Sequence, residues 1–267
     1  MEQLSVNQIF RGLETGKPLI HQITNNVTIN DCANATLAIG ASPVMATSIE
    51  EVEAMAGLAD ALVINFGTIT ADMYESMVLA GKAANRKGIP VVFDPVGVGA
   101  TPYRTQKAMD YMKKVKVDIV RGNGTEVYAL IGGQANTRGV DAGELSLTHT
   151  ELAKLAAEKL NAVIVISGKH DAISDGTRVA EIENGDIWLT AVTGTGCMTT
   201  SLIASCAGVS EDYFSAAVVG MGVMSLAGER ARRKISDGEG IGTFKVKLMD
   251  EIFTMNETVW EREVILR

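Results

Sequence analysis

The segment Val192-Thr-Gly-Thr-Gly-Cys-Met-Thr-Thr-Ser-Leu-Ile-Ala-Ser-Cys-Ala207 sets two glycines and a cysteine directly ahead of a small, apolar run. Gly194 and Gly196 leave backbone N–H groups uncovered, and residues 198–207 suit a buried helix whose N-terminus opens at that loop. Unpaired N–H groups and the positive end of a helix dipole favour a negative charge. Gly194, Thr195, Gly196 and Cys197 are therefore a candidate anion hole for a phosphoryl group in transfer, with Cys197 beside it on the first turn. A tight turn feeding a core helix accounts for the same residues equally well, so the remaining chain has to decide.

Charged groups recur where apolar strands end. Asn65-Phe-Gly-Thr follows residues 61–65, Asp94-Pro-Val-Gly-Val-Gly-Ala-Thr follows 91–93, Arg121-Gly-Asn-Gly-Thr-Glu126 follows Ile119 and Val120, and Ser167-Gly-Lys-His follows 164–166. Turn formation explains the glycines and leaves the charges unexplained. A guanidinium ending an apolar strand calls for an anion, either a ligand or a salt bridge to Asp94 or Glu126. Asp94 and Glu126 could jointly orient Mg²⁺ through waters. Alternatively, Glu126 is only a first-turn carboxylate answering a helix dipole, and Ser167 only a cap. The segment His21-Gln-Ile-Thr-Asn-Asn-Val-Thr-Ile-Asn-Asp is rich in carbonyls and hydroxyls, suited to turns and to small ligands alike.

These groups need a scaffold, and the pattern supplies one. Helices are predicted at 5–14, 29–39, 71–85, 103–114 and 125–131, with strands at 19–22, 41–46, 61–65, 90–94, 117–121 and 162–167. Ser48-x-x-Glu51 and Thr148-x-x-Glu151 read as capping boxes opening helices that run to Leu58 and Leu160. Asp175-Gly and Asn184-Gly mark hairpin turns in 171–190, and helices at 196–206, 214–234 and 243–258 finish the chain. Alternating strands and helices predict an α/β fold with a doubly wound, mostly parallel sheet and an antiparallel edge, its ligands beyond the C-terminal strand ends. Gly220, Gly222 and Gly228 in one helix allow close packing, inside the core or against another subunit.

Composition narrows the classes. The 267 residues are 46% hydrophobic, with a net charge of −8 from 24 basic and 32 acidic side chains, and fit one globular domain. The longest basic cluster is 230–234, so nucleic acid is not an expected partner. Neither a signal sequence nor a membrane span is expected, and the location expected is cytoplasmic. Cys32, Cys197 and Cys206 form no Cys-x-x-Cys pair; Cys32 and Cys206 read as core fillers. A P-loop, a dinucleotide fingerprint and His-Glu-x-x-His are all missing.

In order and spacing, Asn25-Asn-Val-Thr-Ile-Asn-Asp-Cys-Ala-Asn, Gly40-Ala-Ser-Pro-Val-Met-Ala, Asn65-Phe-Gly-Thr, Asp94-Pro-Val-Gly-Val-Gly-Ala-Thr, Arg121-Gly-Asn-Gly-Thr-Glu and Gly194-Thr-Gly-Cys-Met make a specific set. The chain resembles the hydroxyethylthiazole kinase family, within the ribokinase-like kinases, almost end to end. That resemblance implies a single ribokinase-like domain over 1–267. It also implies transfer of the ATP γ-phosphate to the primary alcohol of 4-methyl-5-(2-hydroxyethyl)thiazole, a salvage step toward thiamine. By the same resemblance, Gly194 to Cys197 form the anion hole, with Cys197 where most ribokinase-like kinases carry aspartate. Arg121, Asn123 and Ser167 would contact ATP, Asn25, Met45 and Gly194 the thiazole, and Asp94 and Glu126 magnesium. A homotrimer with active sites shared between subunits is implied too.

Two positions depart from the family pattern: Gly124 replaces a small residue with a side chain, and Ser167-Gly-Lys replaces Thr-Gly-acidic. Rival readings are a hydroxymethylpyrimidine kinase, an ATP-dependent dehydratase of hydrated nicotinamide nucleotides, or a nucleotide-sensing binding protein without turnover. A thiol at a helix N-terminus is expected to have a lowered pKa, making a thiolate base conceivable. Its mismatch with an alcohol favours Cys197 as a positioner of the substrate hydroxyl.

Overall fold

The computed structural model describes residues 4–133 and 147–267, which build an eight-stranded sheet in the order β2-β1-β3-β4-β5-β6-β7-β8. β1 (Leu19–Ile23), β2 (Ser42–Val44), β3 (Ala61–Asn65), β4 (Val91–Asp94), β5 (Ile119–Asn123) and β6 (Val163–Ser167) run parallel. β7 (Asp171–Ser174) and β8 (Val179–Ile182) return antiparallel, forming the expected edge. Alternate strand residues feed two cores, because successive side chains leave opposite faces. Val63, Val92 and Val165 enter one core; Leu62, Phe93 and Ile164 enter the other.

The first core is covered by α1 (Val6–Gly16), α2 (Ile29–Ala38), α8 (Thr195–Ala207), α9 (Tyr213–Arg233), α10 (Ile241–Phe253) and α11 (Glu257–Glu263). α3 (Val52–Leu58), α4 (Ala71–Lys87), α5 (Pro102–Lys114), α6 (Gly124–Leu130) and α7 (His149–Leu160) cover the second. Every residue of α8 from Met198 to Ala207 is buried, which its small side chains permit by letting neighbours approach. The close approach is with α9: a Cβ on Gly220 would lie 2.6 Å from the Cα of Ile203. Gly222 and Gly228 face Trp260 and Leu189, so all three glycines serve internal packing.

Strand order reverses at β1, which has β2 on one side and β3 on the other. The helices after β1 and β3 cover opposite faces, opening a crevice beyond those two strand ends. α8 packs on β1, β3 and β4, bringing its N-terminus to that crevice. At the far edge, β8 is paired outward by the chain end: Glu181 and Arg267 exchange two backbone hydrogen bonds, and Glu183 N–H donates to Ile265 O. At the near edge, β2 is three residues long and includes Pro43.

Three local expectations are corrected. Ser48 caps nothing; its hydroxyl donates to Glu50, and α3 starts at Val52 without a side-chain cap. The helix expected over 243–258 is two helices, because Asn256 accepts from Val259 N–H and starts α11 afresh. Asn184-Gly185 turns into a 3₁₀ segment, Ile187–Ala191, rather than a further strand, with Asn184 bonded to Glu229, Glu263 and Ile265. The Thr148–Glu151 capping box forms as expected. Within the basic run 230–234, Arg230, Arg233 and Lys234 pair with Glu229, Glu251 and Glu263, while Arg232 stacks on Trp188. No described helix is long and apolar enough to cross a membrane.

Candidate active site

Six parallel strands deliver their C-terminal residues to one edge of the sheet, where most of the predicted site residues collect. Gly194 is the N-cap of α8 with φ +90°, a backbone region that favours glycine, and a Cβ there would strike Thr28 Cγ2 at 2.7 Å. Met198 N–H donates to Gly194 O as the first bond of α8, so the amides of Thr195, Gly196 and Cys197 precede the helical ladder. The Thr195 hydroxyl is committed to Leu189 O.

Arg121 lies directly over this helix start. A Cβ on Gly196 would fall 2.5 Å from its Nη1, so glycine at 196 is what lets the guanidinium settle there. Nη2 donates to Ser167 Oγ at 2.8 Å, and Nε is buried with no partner. Neither Asp94 nor Glu126 forms the salt bridge considered above. A buried donor without an acceptor is costly, so the arrangement suits an anion arriving from outside the protein. Because the obstacle at Gly196 is a flexible side-chain end, Gly196→Ala should fold normally yet displace Arg121. Its turnover is expected to fall by roughly 10²-fold, on the scale of losing one transition-state donor, with thermal unfolding nearly unchanged. Steady-state kinetics with a melting curve checks both halves.

Asp94 ends β4 almost wholly buried. Its Oδ2 accepts from Asn65 Nδ2 at 2.7 Å and Thr200 Oγ1 at 2.9 Å, while Oδ1 has no partner. Burial raises its pKa to about 6, against the pull of Arg121. Glu126 forms a capping box with Asn123, accepting from Asn123 N–H while Asn123 Oδ1 accepts from Glu126 N–H. Its other oxygen accepts from Gly97 N–H at 2.8 Å, tying α6 to the loop after β4. Glu126 is thus a first-turn carboxylate, as one alternative had it, but it acts through a capping box, and the same side chain also braces the Asp94 loop.

Cys197 Sγ receives N–H groups from Asn25 Nδ2 and Asn65 Nδ2, each at 3.3 Å. Burial holds its thiol above the ordinary value, with Asp94 adding to the effect, so the lowered pKa expected from the helix terminus is overturned. Asn25 is occupied with structure: Oδ1 accepts from Val27 N–H, Thr28 N–H and the Thr28 hydroxyl, and Nδ2 also donates to Asn65. Met45 follows β2 at the same edge, half-buried, in a segment held by His21 Nε2 on Ala46 O. Cys32 and Cys206 are buried, as expected of core fillers.

Four contributors escaped the sequence. Asn65 was visible only as an amide at a strand end, and Thr200 lies three residues beyond Cys197, a spacing that puts both on one side of the helix. Arg104 grips the loops after β3 and β4 through the carbonyls of Phe66, Gly67 and Val96, which no local pattern announces. Asp171 accepts from Gly168 N–H and the Ser225 hydroxyl, fixing the turn behind Ser167. Among the described residues no group of three or more His, Cys, Asp or Glu could hold a metal ion.

Comparison with known proteins identifies the family. The family model described as "Hydroxyethylthiazole kinase family" matches residues 10–258. The chain belongs to the hydroxyethylthiazole kinase family. A hydroxyethylthiazole kinase from Thermoanaerobacter pseudethanolicus is 47% identical over 256 residues, 96% of this chain and 97% of that protein. The solved hydroxyethylthiazole kinase structure from Pyrococcus horikoshii is 38% identical with a TM-score of 0.88, covering 97% of each chain. Beyond the hydroxyethylthiazole kinase family the fold persists. An ADP/ATP-dependent NAD(P)H-hydrate dehydratase from Bacillus subtilis, co-crystallised with ATP/Mg²⁺, superposes at a TM-score of 0.61 with 16% identity over 93% of each chain.

Proposed function

We propose that this protein transfers the γ-phosphoryl group of ATP to the primary hydroxyl of 4-methyl-5-(2-hydroxyethyl)thiazole, acting as one kinase domain over 1–267. The observation that carries the reading is the unpartnered, buried Nε of Arg121 packed on Gly196 at the start of α8. A phosphate oxygen there gains a guanidinium and the leading amides of a helix together. Asn123 and Ser167, at the ends of β5 and β6, flank the same nucleotide position. The tight turn at Gly194 leaves the leading amides of α8 unbonded within the helix, which supports the anion-hole reading.

The unpartnered Oδ1 of Asp94 fits a role at magnesium, with Glu126 as the second carboxylate. When bound with ATP, Mg²⁺ neutralises charge on the phosphates. Asn65 and Thr200 hold the other Asp94 oxygen, leaving Oδ1 available. Cys197, with its thiol kept protonated by burial, positions the acceptor hydroxyl in line with the phosphate rather than removing its proton. Asn25 acts through Cys197 and Thr28, while Met45 and Gly194 border the thiazole.

The proposal includes a cytoplasmic homotrimer in thiamine salvage, with subunit borders at the sites. Val27, two residues from Asn25, is 67% exposed, an apolar side chain suited to a neighbouring subunit.

ADP release measured with Mg-ATP and hydroxyethylthiazole, hydroxymethylpyrimidine or a sugar tests the substrate. Selective turnover of the thiazole is expected; turnover of the pyrimidine, or of none, would overturn the assignment. In the same assay Cys197→Ala should bind substrate normally and turn over roughly 10- to 100-fold more slowly, below the ceiling for general-base loss. Cys197→Asp should keep substantial activity. Wild-type speed in Cys197→Ala would remove Cys197 from the mechanism.

A further inference from the structure

Asn65 is fully buried at the end of β3, and all four of its hydrogen-bonding positions are filled. Oδ1 accepts from Gly67 N–H at 2.8 Å and from Asn25 Nδ2 at 3.0 Å. The two N–H bonds of Nδ2 go to different chemical partners: Asp94 Oδ2 at 2.7 Å and Cys197 Sγ at 3.3 Å. One neutral amide thus spans the carboxylate at the end of the next strand and the thiol on α8. We propose that Asn65 is a positioning residue for phosphoryl transfer, holding Asp94 and Cys197 in fixed relation and selecting which valence of each faces the reactants.

The selection follows from counting. A thiol sulfur has two lone pairs and one hydrogen, and the amides of Asn25 and Asn65 take both lone pairs. The S–H hydrogen is the valence left; with Thr28 beside it, it can turn to a lone pair of the substrate hydroxyl and hold that oxygen in line. At Asp94, the bonds from Asn65 and Thr200 occupy one oxygen and leave the other bare. The same amide therefore presents a donor at the acceptor side and an anionic oxygen at the phosphate side. Glutamine is too long for the span. Aspartate keeps the shape and the Gly67 and Asn25 bonds but sets oxygen against oxygen at Asp94.

Asn65→Asp is consequently the informative variant, because it preserves the turn after β3 while replacing the two donors by an acceptor oxygen that repels Asp94. This inference rests on phosphoryl transfer at the site, and the wild-type reaction in the same assay tests that independently. The expected result is a loss of roughly 10²-fold in kcat, with KM for ATP and for the thiazole changed by less than about threefold. In a Cys197→Ala background the additional loss from Asn65→Asp should shrink severalfold, because part of it runs through the thiol. A kcat within about threefold of wild type, a loss confined to KM, or equal losses in both backgrounds would each overturn the proposal. If Asn65→Asp does not fold, Asn65→Ser, one hydroxyl replacing both donors, is put through the same comparison.

Discussion

Replacing Arg121 by methionine is expected to lower kcat/KM for ATP by about 10³-fold or more, the range associated with a guanidinium placed on a transferring phosphoryl group. The replacement keeps an unbranched stem of similar length within β5 and removes a charge whose Nε has no protein partner. Folding stability should therefore nearly hold, since the desolvated Nε has no partner and the replacement gives up only the Nη2 bond to Ser167. Lysine should not rescue it, because a point charge cannot reproduce the fork that reaches Ser167 while lying flat on Gly196. Kinetics, equilibrium ATP binding and a melting curve together test the claim. An Arg121→Met enzyme within about tenfold of wild type would show that the anion sits elsewhere.

Asp94→Asn is expected to lose turnover to a similar degree and to gain stability. The Asp94 pKa is about 6 in the folded chain, above the ordinary 3.8 of the exposed group. Between those values the folded protein binds the proton more tightly than the unfolded one, so stability falls as pH rises from about 4 through about 6. Above about pH 6 the chain carries an ionised buried carboxylate that opposes folding, and the Asp94→Asn variant is free of that opposition. The net gain is about 1–2 kcal/mol at about pH 8, the pKa difference less the burden of an unpaired amide hydrogen at the Oδ1 position. Near about pH 4 wild type and variant should melt together. Equal melting temperatures at about pH 8 would contradict the buried charge, and retained turnover would contradict the role of Asp94.

Both predictions concern residues that were legible as a set and illegible as an arrangement. Strand ends can be read because apolar runs stop near where the sheet stops: Asp94 and Ser167 stand at those stops, whereas β5 runs two residues past Arg121, to Asn123. The Thr148–Glu151 box was equally readable, since its bonds close within four residues. The same four-residue pattern failed at Ser48, where a carboxylate two residues away took the hydroxyl first. The break at Asn256 was hidden because asparagine tolerates both helix interiors and caps, with no Gly or Pro to mark it. What lay furthest from view was contact across the sequence: Asn65 and Cys197 are 132 positions apart. Gly196 under Arg121 is of the same kind, since nothing local distinguishes a glycine needed for a turn from one needed to admit another side chain. The direction of the Cys197 pKa shift was misjudged for a related reason, burial being a property of the assembled fold.

The finish of the sheet at its two sides has its own consequence. Outermost strands with bare amides and carbonyls invite a second chain to continue the ladder, the first step toward fibrils and open-ended stacks. Here the residues at 265–267 occupy that invitation beside β8, and β2 is cut short around Pro43. Strand addition between copies is thereby disfavoured at both sides of the sheet.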